Sequence, residues 1–189
     1  DTTFGSTGAG AITFVTTLDG PHNVTVNTSS VTTFTGNVGG AMELTSLATD
    51  ATGGTTISGG GTPTVNTTGT QIYSDVVTLG ADTELEGSTV TFNQSVVGGA
   101  FTLTITGNAV FGDQAADDIS TGTLLVTGTT TVNAATVSTG AATQTYNGDV
   151  TLTTGVNFTG MTVQFDEDIL GGANTLTITG DAVLGSAAD

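Results

Sequence analysis

The sequence predicts an all-β fold, a single-stranded parallel β-helix (β-solenoid) of about ten coils with about 19 residues in each. Three observations point to this class: the composition, a long internal repeat, and a short recurring spacing of aromatic residues. Residues 1–189 are expected to form a single β-solenoid domain.

The composition is that of strands and turns. Thr, Gly, Val, Ala and Asn dominate, hydrophobic residues make up 36% of the chain, and there are two prolines. Strong helix formers are few, and Thr and Val favour strands while Gly and Asn favour turns. An all-β chain follows.

The charge balance restricts the partners. The chain has 17 Asp and Glu residues, no Lys or Arg, and a formal net charge of −17. Phosphate groups are bound mainly through Lys and Arg, so nucleic acid and anionic lipid are not expected as partners. The chain also has no apolar run of the roughly 18 residues that a membrane helix needs, so no membrane insertion is expected.

A 73-residue repeat covers a large part of the chain. The stretch VTFNQSVVGGAFTLTITGNAVFG (90–112) and the stretch VQFDEDILGGANTLTITGDAVLG (163–185) share 14 of 23 positions. QIYSDVVTL (71–79) and QTYNGDVTL (144–152) match at the same offset. The two copies therefore span about 71–113 and 144–186.

A shorter period of about 19 residues lies inside the repeat and indicates stacked coils. It predicts one continuous buried ladder of ring side chains, with Ile57 and Thr130 filling its two gaps. The ladder residues are Phe14, Phe34, Tyr73, Phe92, Phe111, Tyr146 and Phe165.

Six of these aromatic residues are followed four positions later by an aliphatic residue, as in Tyr73 to Val77 and Phe92 to Val96. The residues between are rich in Asn, Asp, Gly, Ser and Thr, which predicts a strand, a tight corner and a second strand. The alternating TLTIT stretches predict that Leu103, Ile105, Leu176 and Ile178 point inward. Thr102 and Thr104 are predicted to stack on Thr121 and Thr123.

The stretches TTFTGNVGGAMELTSLATDATGGTTISGGG, VVTLGADTELEGSTVTF and ATQTYNGDVTLTTG resemble the repeat region of filamentous-haemagglutinin-like bacterial exoproteins. The resemblance runs through nearly the whole chain. It implies a right-handed β-helix and a shaft segment of a secreted, cell-surface adhesin.

The expected function is that of an extracellular structural or adhesive rod, which builds surface filaments, matrix or biofilm. Exposed strand edges at the ends of a solenoid predict head-to-tail contact with further copies or tandem repeats of itself. The start DTTFGSTGAG lacks the features of a signal peptide, so the chain is expected to be mature or cut from a longer array.

One acidic corner is a candidate metal site. Asp166, Glu167 and Asp168 are consecutive, and Asp149 precedes Asp168 by one predicted coil. Oxygen ligands suit Ca²⁺, so the alternative function is an adhesin module that binds Ca²⁺ or carbohydrate, and a solvated acidic corner is the plainer interpretation.

Enzymatic activity is not expected. A polysaccharide-active β-helix enzyme is a third reading, which the absence of Lys and Arg disfavours. His22, the only histidine, lies in DGPHNVT and is interpreted as a turn residue. No catalytic residue and no required cofactor are predicted.

Overall fold

The computed structural model describes residues 1–185, and in this part of the chain every regular element is a strand. No helix there is long and apolar enough to span a membrane. In chain order the strands are β1 Thr2–Gly5, β2 Ile12–Phe14, β3 Asn23–Asn27, β4 Val31–Phe34, β5 Ser46–Thr49, β6 Gly54–Ile57, β7 Val65–Asn66, β8 Thr70–Tyr73, β9 Val77–Leu79, β10 Thr83–Phe92, β11 Val96–Val97, β12 Thr102–Phe111, β13 Asp118–Ser120, β14 Thr123–Val126, β15 Thr130–Val132, β16 Thr136–Ser138, β17 Thr143–Tyr146, β18 Val150–Leu152, β19 Val156–Phe165, β20 Ile169–Leu170 and β21 Leu176–Leu184.

All pairings between strands are parallel and sort the strands into three stacks, which we call faces. The first face contains β1, β3, β5, β8, the C-terminal halves of β10 and β12, β15, β18 and β20. The second face contains β2, β4, β6, β9, β11, β13, β16 and the N-terminal halves of β19 and β21. The third face begins with bridges at Leu18 and Val38 and continues through β7, the N-terminal halves of β10 and β12, β14, β17, and the C-terminal halves of β19 and β21.

The predicted fold class is confirmed. The chain forms a parallel β-solenoid of about nine turns with about 20 residues per turn. The length of a turn varies along the rod. The first-face partners Val24, Leu47 and Gln71 are 23 and 24 residues apart. Gln71, Val90 and Ala109, farther along the same face, are 19 residues apart. With strands spaced about 4.8 Å apart, nine turns give a rod of roughly 43 Å.

The predicted corners are confirmed. Tyr73 ends β8 and Val77 begins β9, and Phe92 ends β10 and Val96 begins β11. Tyr146 and Phe165 likewise end strands before a new strand begins four residues later. These pairs place buried side chains on both sides of a polar corner, except that Ile169 is only partly buried.

The aromatic residues are buried as predicted, except that Phe14, in the first turn, is only partly covered. The prediction of one continuous ladder through Ile57 and Thr130 is wrong. Ile57 stacks on Phe34 but then on Leu79, and Phe111 stacks on Val132. The rings form three separate stacks: Phe14 on Phe34 on the second face, Tyr73 on Phe92 on Phe111 on the first face, and Tyr146 on Phe165 on the third face.

The inward placement of Leu103 and Ile105 is confirmed, since both side chains are fully buried. Leu176 and Ile178 are half-buried and pack against the same core, because they lie in the last strand of the described rod. A continuous apolar core therefore runs along the inside of the solenoid and fixes the side chains that face outward.

Candidate functional site

The acidic corner is formed where the third face passes into the first face. Asp149 and Asp168 lie in adjacent turns, as predicted, and the Asp168 backbone N–H donates to Asp149 Oδ1 at 3.3 Å. Gln164 Nε2 donates to Asp166 Oδ1 at 2.7 Å. Glu167 and Asp168 are exposed. The carboxylates of Asp149 and Asp166 thus take part in the hydrogen bonding of the corner itself.

A calcium site at this corner stays a prediction that the geometry does not support. Within residues 1–185, no group of three or more His, Cys, Asp or Glu side chains is arranged so that it could hold a metal ion. Another acidic corner also has a structural role, because Asp117 Oδ2 accepts the backbone N–H groups of Asp113 and Gln114.

His22 is exposed in the turn where it was predicted, and its backbone N–H donates to Gly20 O. The nearby Asp19 carboxylate accepts the backbone N–H of Ala41 at 2.9 Å and that of Met42 at 3.4 Å. These bonds, that from Ala41 above all, lower the pKa of Asp19. Asp19 therefore holds the corner of the next turn.

The predicted threonine pairing is off by two residues. Thr102 stacks on Thr123 and Thr104 stacks on Leu125, because this turn has 21 residues rather than 19. The sequence pattern also missed a longer hydroxyl column on the second face. Its nine stacked positions, of which all but Val97 carry a hydroxyl group, are Thr13, Thr33, Thr56, Thr78, Val97, Ser120, Ser138, Thr159 and Thr179.

A groove interrupts the edge of this column, where the second face passes into the third. Residues 98–101 separate β11 from β12, and residues 139–142 separate β16 from β17, so both of these corners have four residues. The corner between them, Thr121–Gly122, separates β13 from β14 and has only two. The shorter corner leaves a depression between two longer ones, with a volume of about 530 Å³.

The two longer corners are the same backbone turn. Gly99 and Gly140 both have a φ of 58°, and in each turn the fourth residue donates its N–H to the carbonyl of the first. A third turn of this kind, at residues 171–174, occupies the matching position in the second copy of the sequence repeat, with a φ of 56° at Gly172. The fourth residue of the turn is Phe101, Ala142 or Asn174.

The groove is lined by hydroxyl groups, small side chains and backbone, and has no ionisable residue in its lining. Its lining is Gly99, Ala100, Ser120, Thr121, Gly122, Thr123, Ser138, Thr139, Gly140, Ala141 and Ala142. Thr121 is almost completely buried, and its Oγ1 has no hydrogen-bond partner within the described chain. The groove can therefore bind through hydrogen bonds and close packing, without charge.

The backbone of Phe101 adjoins the groove, and Phe101 itself is not one of the lining residues. It follows the lining residue Ala100, and its carbonyl accepts the N–H of Gly122 at 2.7 Å. At 38% exposed, it is the most exposed of the aromatic side chains, all of which lie in the described part of the chain. The sequence reasoning missed it, although the signal was visible: in the 73-residue repeat the equivalent residue is Asn174.

No known protein family matches the chain, and no match was found among curated proteins or solved structures.

Proposed function

We propose that the protein is an extracellular structural rod, an adhesive β-solenoid segment that builds surface filaments or matrix through end-to-end contact. The observation that carries this proposal is the last described strand, β21. It pairs with β19 on one side and with no strand of residues 1–185 on the other. Val183 and Leu184 are exposed there by 39% and 63%.

An open parallel edge that carries apolar side chains is a template for another strand. The strands β1 and β2 present the opposite edge, since each has one pairing partner within the described chain. Phe4, Ile12 and Phe14 there are partly buried and belong to the same core. The two edges are both parallel and both apolar, so the coil that covers each is proposed to be of the same kind, from a second copy or a tandem repeat.

The resemblance to filamentous-haemagglutinin-like exoproteins agrees with this proposal, because it also implies a solenoid shaft. We propose a secreted, bacterial cell-surface location and no catalytic activity on this basis. The formal charge of −17 keeps separate rods apart in solution and makes their association dependent on salt.

The test is the association state of two variants that carry the same added charge. Leu184→Asp places a carboxylate on the open edge, and Val97→Asp places one on the side of the rod, where Val97 is 50% exposed. Light scattering across a salt series should show assemblies for the parent chain and for Val97→Asp, and separate rods for Leu184→Asp. Equal association of both variants, or none by the parent chain, would refute end-to-end contact.

A further inference from the structure

We propose that the groove between the 98–101 and 139–142 turns binds a neutral saccharide, with Phe101 as the aromatic platform at its edge. This site is separate from the open ends of the rod, so it does not depend on end-to-end assembly. The proposal follows from the shape of the groove, the chemistry of its lining and the residue at position 101.

The shape suits a small or chain-like ligand. A volume of about 530 Å³ is within the usual range of ligand sites, about 300–1,000 Å³. The two turns that form the walls are two coils apart, roughly 10 Å at the usual strand spacing. Both walls are hydrogen-bonded turns of the same backbone geometry, so the shape of the groove does not depend on a ligand.

The lining selects for a neutral polar ligand. Ser120, Thr123 and Ser138 carry hydroxyl groups, which both donate and accept hydrogen bonds, as sugar hydroxyl groups do. The buried Thr139 hydroxyl instead donates to Ala142 O at 2.9 Å and holds the turn. There is no basic residue for a sulfated or acidic sugar, and the overall negative charge repels such ligands. A cationic ligand would find no carboxylate in the lining.

Phe101 supplies an aromatic face, which the hydroxyl groups of the lining lack. The face of an aromatic ring is electron-rich and attracts the polarised C–H groups of a sugar ring. Nothing in the turn itself requires an aromatic residue, because the same turn carries Ala142 and Asn174 at this position. At residues 171–174 the side chain has a structural use, since Asn174 Nδ2 donates to Leu152 O at 2.8 Å. At 38% exposed, Phe101 keeps an apolar area that a ligand can cover.

The groove also continues a larger polar surface. Ser120 and Ser138 belong both to its lining and to the hydroxyl column of the second face. Among the described strands of that face, Asp118 is the only acidic residue. A longer neutral glycan could therefore extend from the groove along the column without meeting most of the carboxylates of the protein.

The sequence repeat provides the variant for the test. Phe101→Asn introduces the residue that the same turn carries at position 174, so the fold should be unchanged. Phe101→Trp keeps an aromatic platform of larger area. Met42→Asn, at a residue that is 56% exposed and lies outside both the groove lining and the hydroxyl column, is the matched surface control.

The experiment is a glycan array of neutral and sulfated glycans, probed with the parent chain and these variants, followed by titration of the best neutral glycan. We expect binding to neutral glycans, at least about tenfold weaker binding for Phe101→Asn, and retained binding for Phe101→Trp and Met42→Asn. Circular dichroism should give the same melting temperature for the parent chain and Phe101→Asn. Failure to bind any neutral glycan, binding confined to sulfated glycans, or full binding by Phe101→Asn would each overturn the proposal.

Discussion

Tyr73 and Tyr146 occupy the same position in the 73-residue repeat, yet Tyr73 lies on the first face of the rod and Tyr146 on the third. From one to the other the chain passes eleven times from face to face, which is three and two-thirds turns. The second copy of the repeat is therefore turned by two-thirds of a turn about the rod axis. The repeat preserves a local pattern of strand and corner, and it does not preserve the face on which that pattern lies.

The two tyrosines nevertheless have the same buried network. Each hydroxyl donates to the glutamine two residues earlier, Tyr73 to Gln71 Oε1 at 2.9 Å and Tyr146 to Gln144 Oε1 at 3.0 Å. Each glutamine Nε2 donates to a backbone carbonyl, of Glu86 or of Thr159. Burial raises the pKa of both tyrosines, so both hydroxyl groups stay protonated.

Loss of the Tyr73 hydroxyl and loss of the Tyr146 hydroxyl are expected to lower the stability of the fold equally. Tyr73→Phe and Tyr146→Phe each leave a buried glutamine oxygen without its donor, which should lower the free energy of unfolding by about 1 to 3 kcal/mol. Urea denaturation of both variants checks this. A change for one variant and none for the other would show that the two networks are not equivalent.

Truncation of a stacked ring should be far more costly than truncation of the exposed one. Phe92 is fully buried between Tyr73 and Phe111, with ring centroids at 5.4 and 6.1 Å. Phe92→Ala should lower the free energy of unfolding by about 3 to 5 kcal/mol. Phe101→Ala, in the same turn of the rod, should change the free energy of unfolding by no more than about 0.5 kcal/mol. A melting curve for Phe92→Ala like that of the parent chain would contradict the assigned core.

Asp75 should make stability depend on pH in the direction opposite to that of a salt-bridged carboxylate. It is buried where the first face passes into the second, and accepts hydroxyl hydrogen bonds from Thr55 at 2.8 Å and Thr49 at 3.3 Å. Burial raises the pKa of Asp75, and the two threonine bonds offset this only in part. The folded chain therefore keeps this proton to a higher pH than the unfolded chain does.

The consequence is a loss of stability as the pH rises from about 4, the ordinary carboxyl pKa, through the raised pKa of Asp75. Asp75→Asn removes this loss, so its unfolding free energy relative to the parent chain should increase over that interval. Urea denaturation at a series of pH values measures the difference and cancels the contribution of the other carboxylates. If the difference in unfolding free energy between Asp75→Asn and the parent chain did not change with pH, the pKa of Asp75 would not be raised.

A corner glycine should be intolerant of any side chain. Gly107 has a φ of 131°, and a Cβ there would lie 1.9 Å from the carbonyl oxygen of Gly87 in the preceding turn. Gly107→Ala should therefore cost about 2 to 5 kcal/mol, from backbone strain and displacement of that coil. Gly60→Ala is the control, because Gly60 is exposed and a Cβ there meets no atom within 4 Å. Thermal denaturation of the pair tests the prediction, and equal melting temperatures would contradict it.

The sequence was sufficient for the class of fold and for the local corners, since an aromatic residue followed four positions later by an aliphatic one marks a corner at each of the six predicted sites. Phe101 and Ile105 have the same spacing without a corner between them. The sequence was insufficient for the stacking partners. All three kinds of corner use this phrase, and the turns vary in length, so Phe34 and Tyr73 are separated by one and two-thirds turns rather than two.

The sequence could not reveal the groove either, and the reason is related. It depends on the length of the Thr121–Gly122 corner relative to the corners in the turns before and after it, and these become neighbours only when the stacking is known. The acidic corner was placed correctly in adjacent turns, but the hydrogen bond from the Asp168 backbone to Asp149 depends on side-chain geometry that composition does not reveal.

Electron microscopy of the purified 189-residue chain, across a range of salt and protein concentrations, tests the central claim most directly. End-to-end assembly of nine-turn rods predicts filaments of constant width with an axial repeat of roughly 43 Å. Discrete rods of about that length under every condition would contradict it.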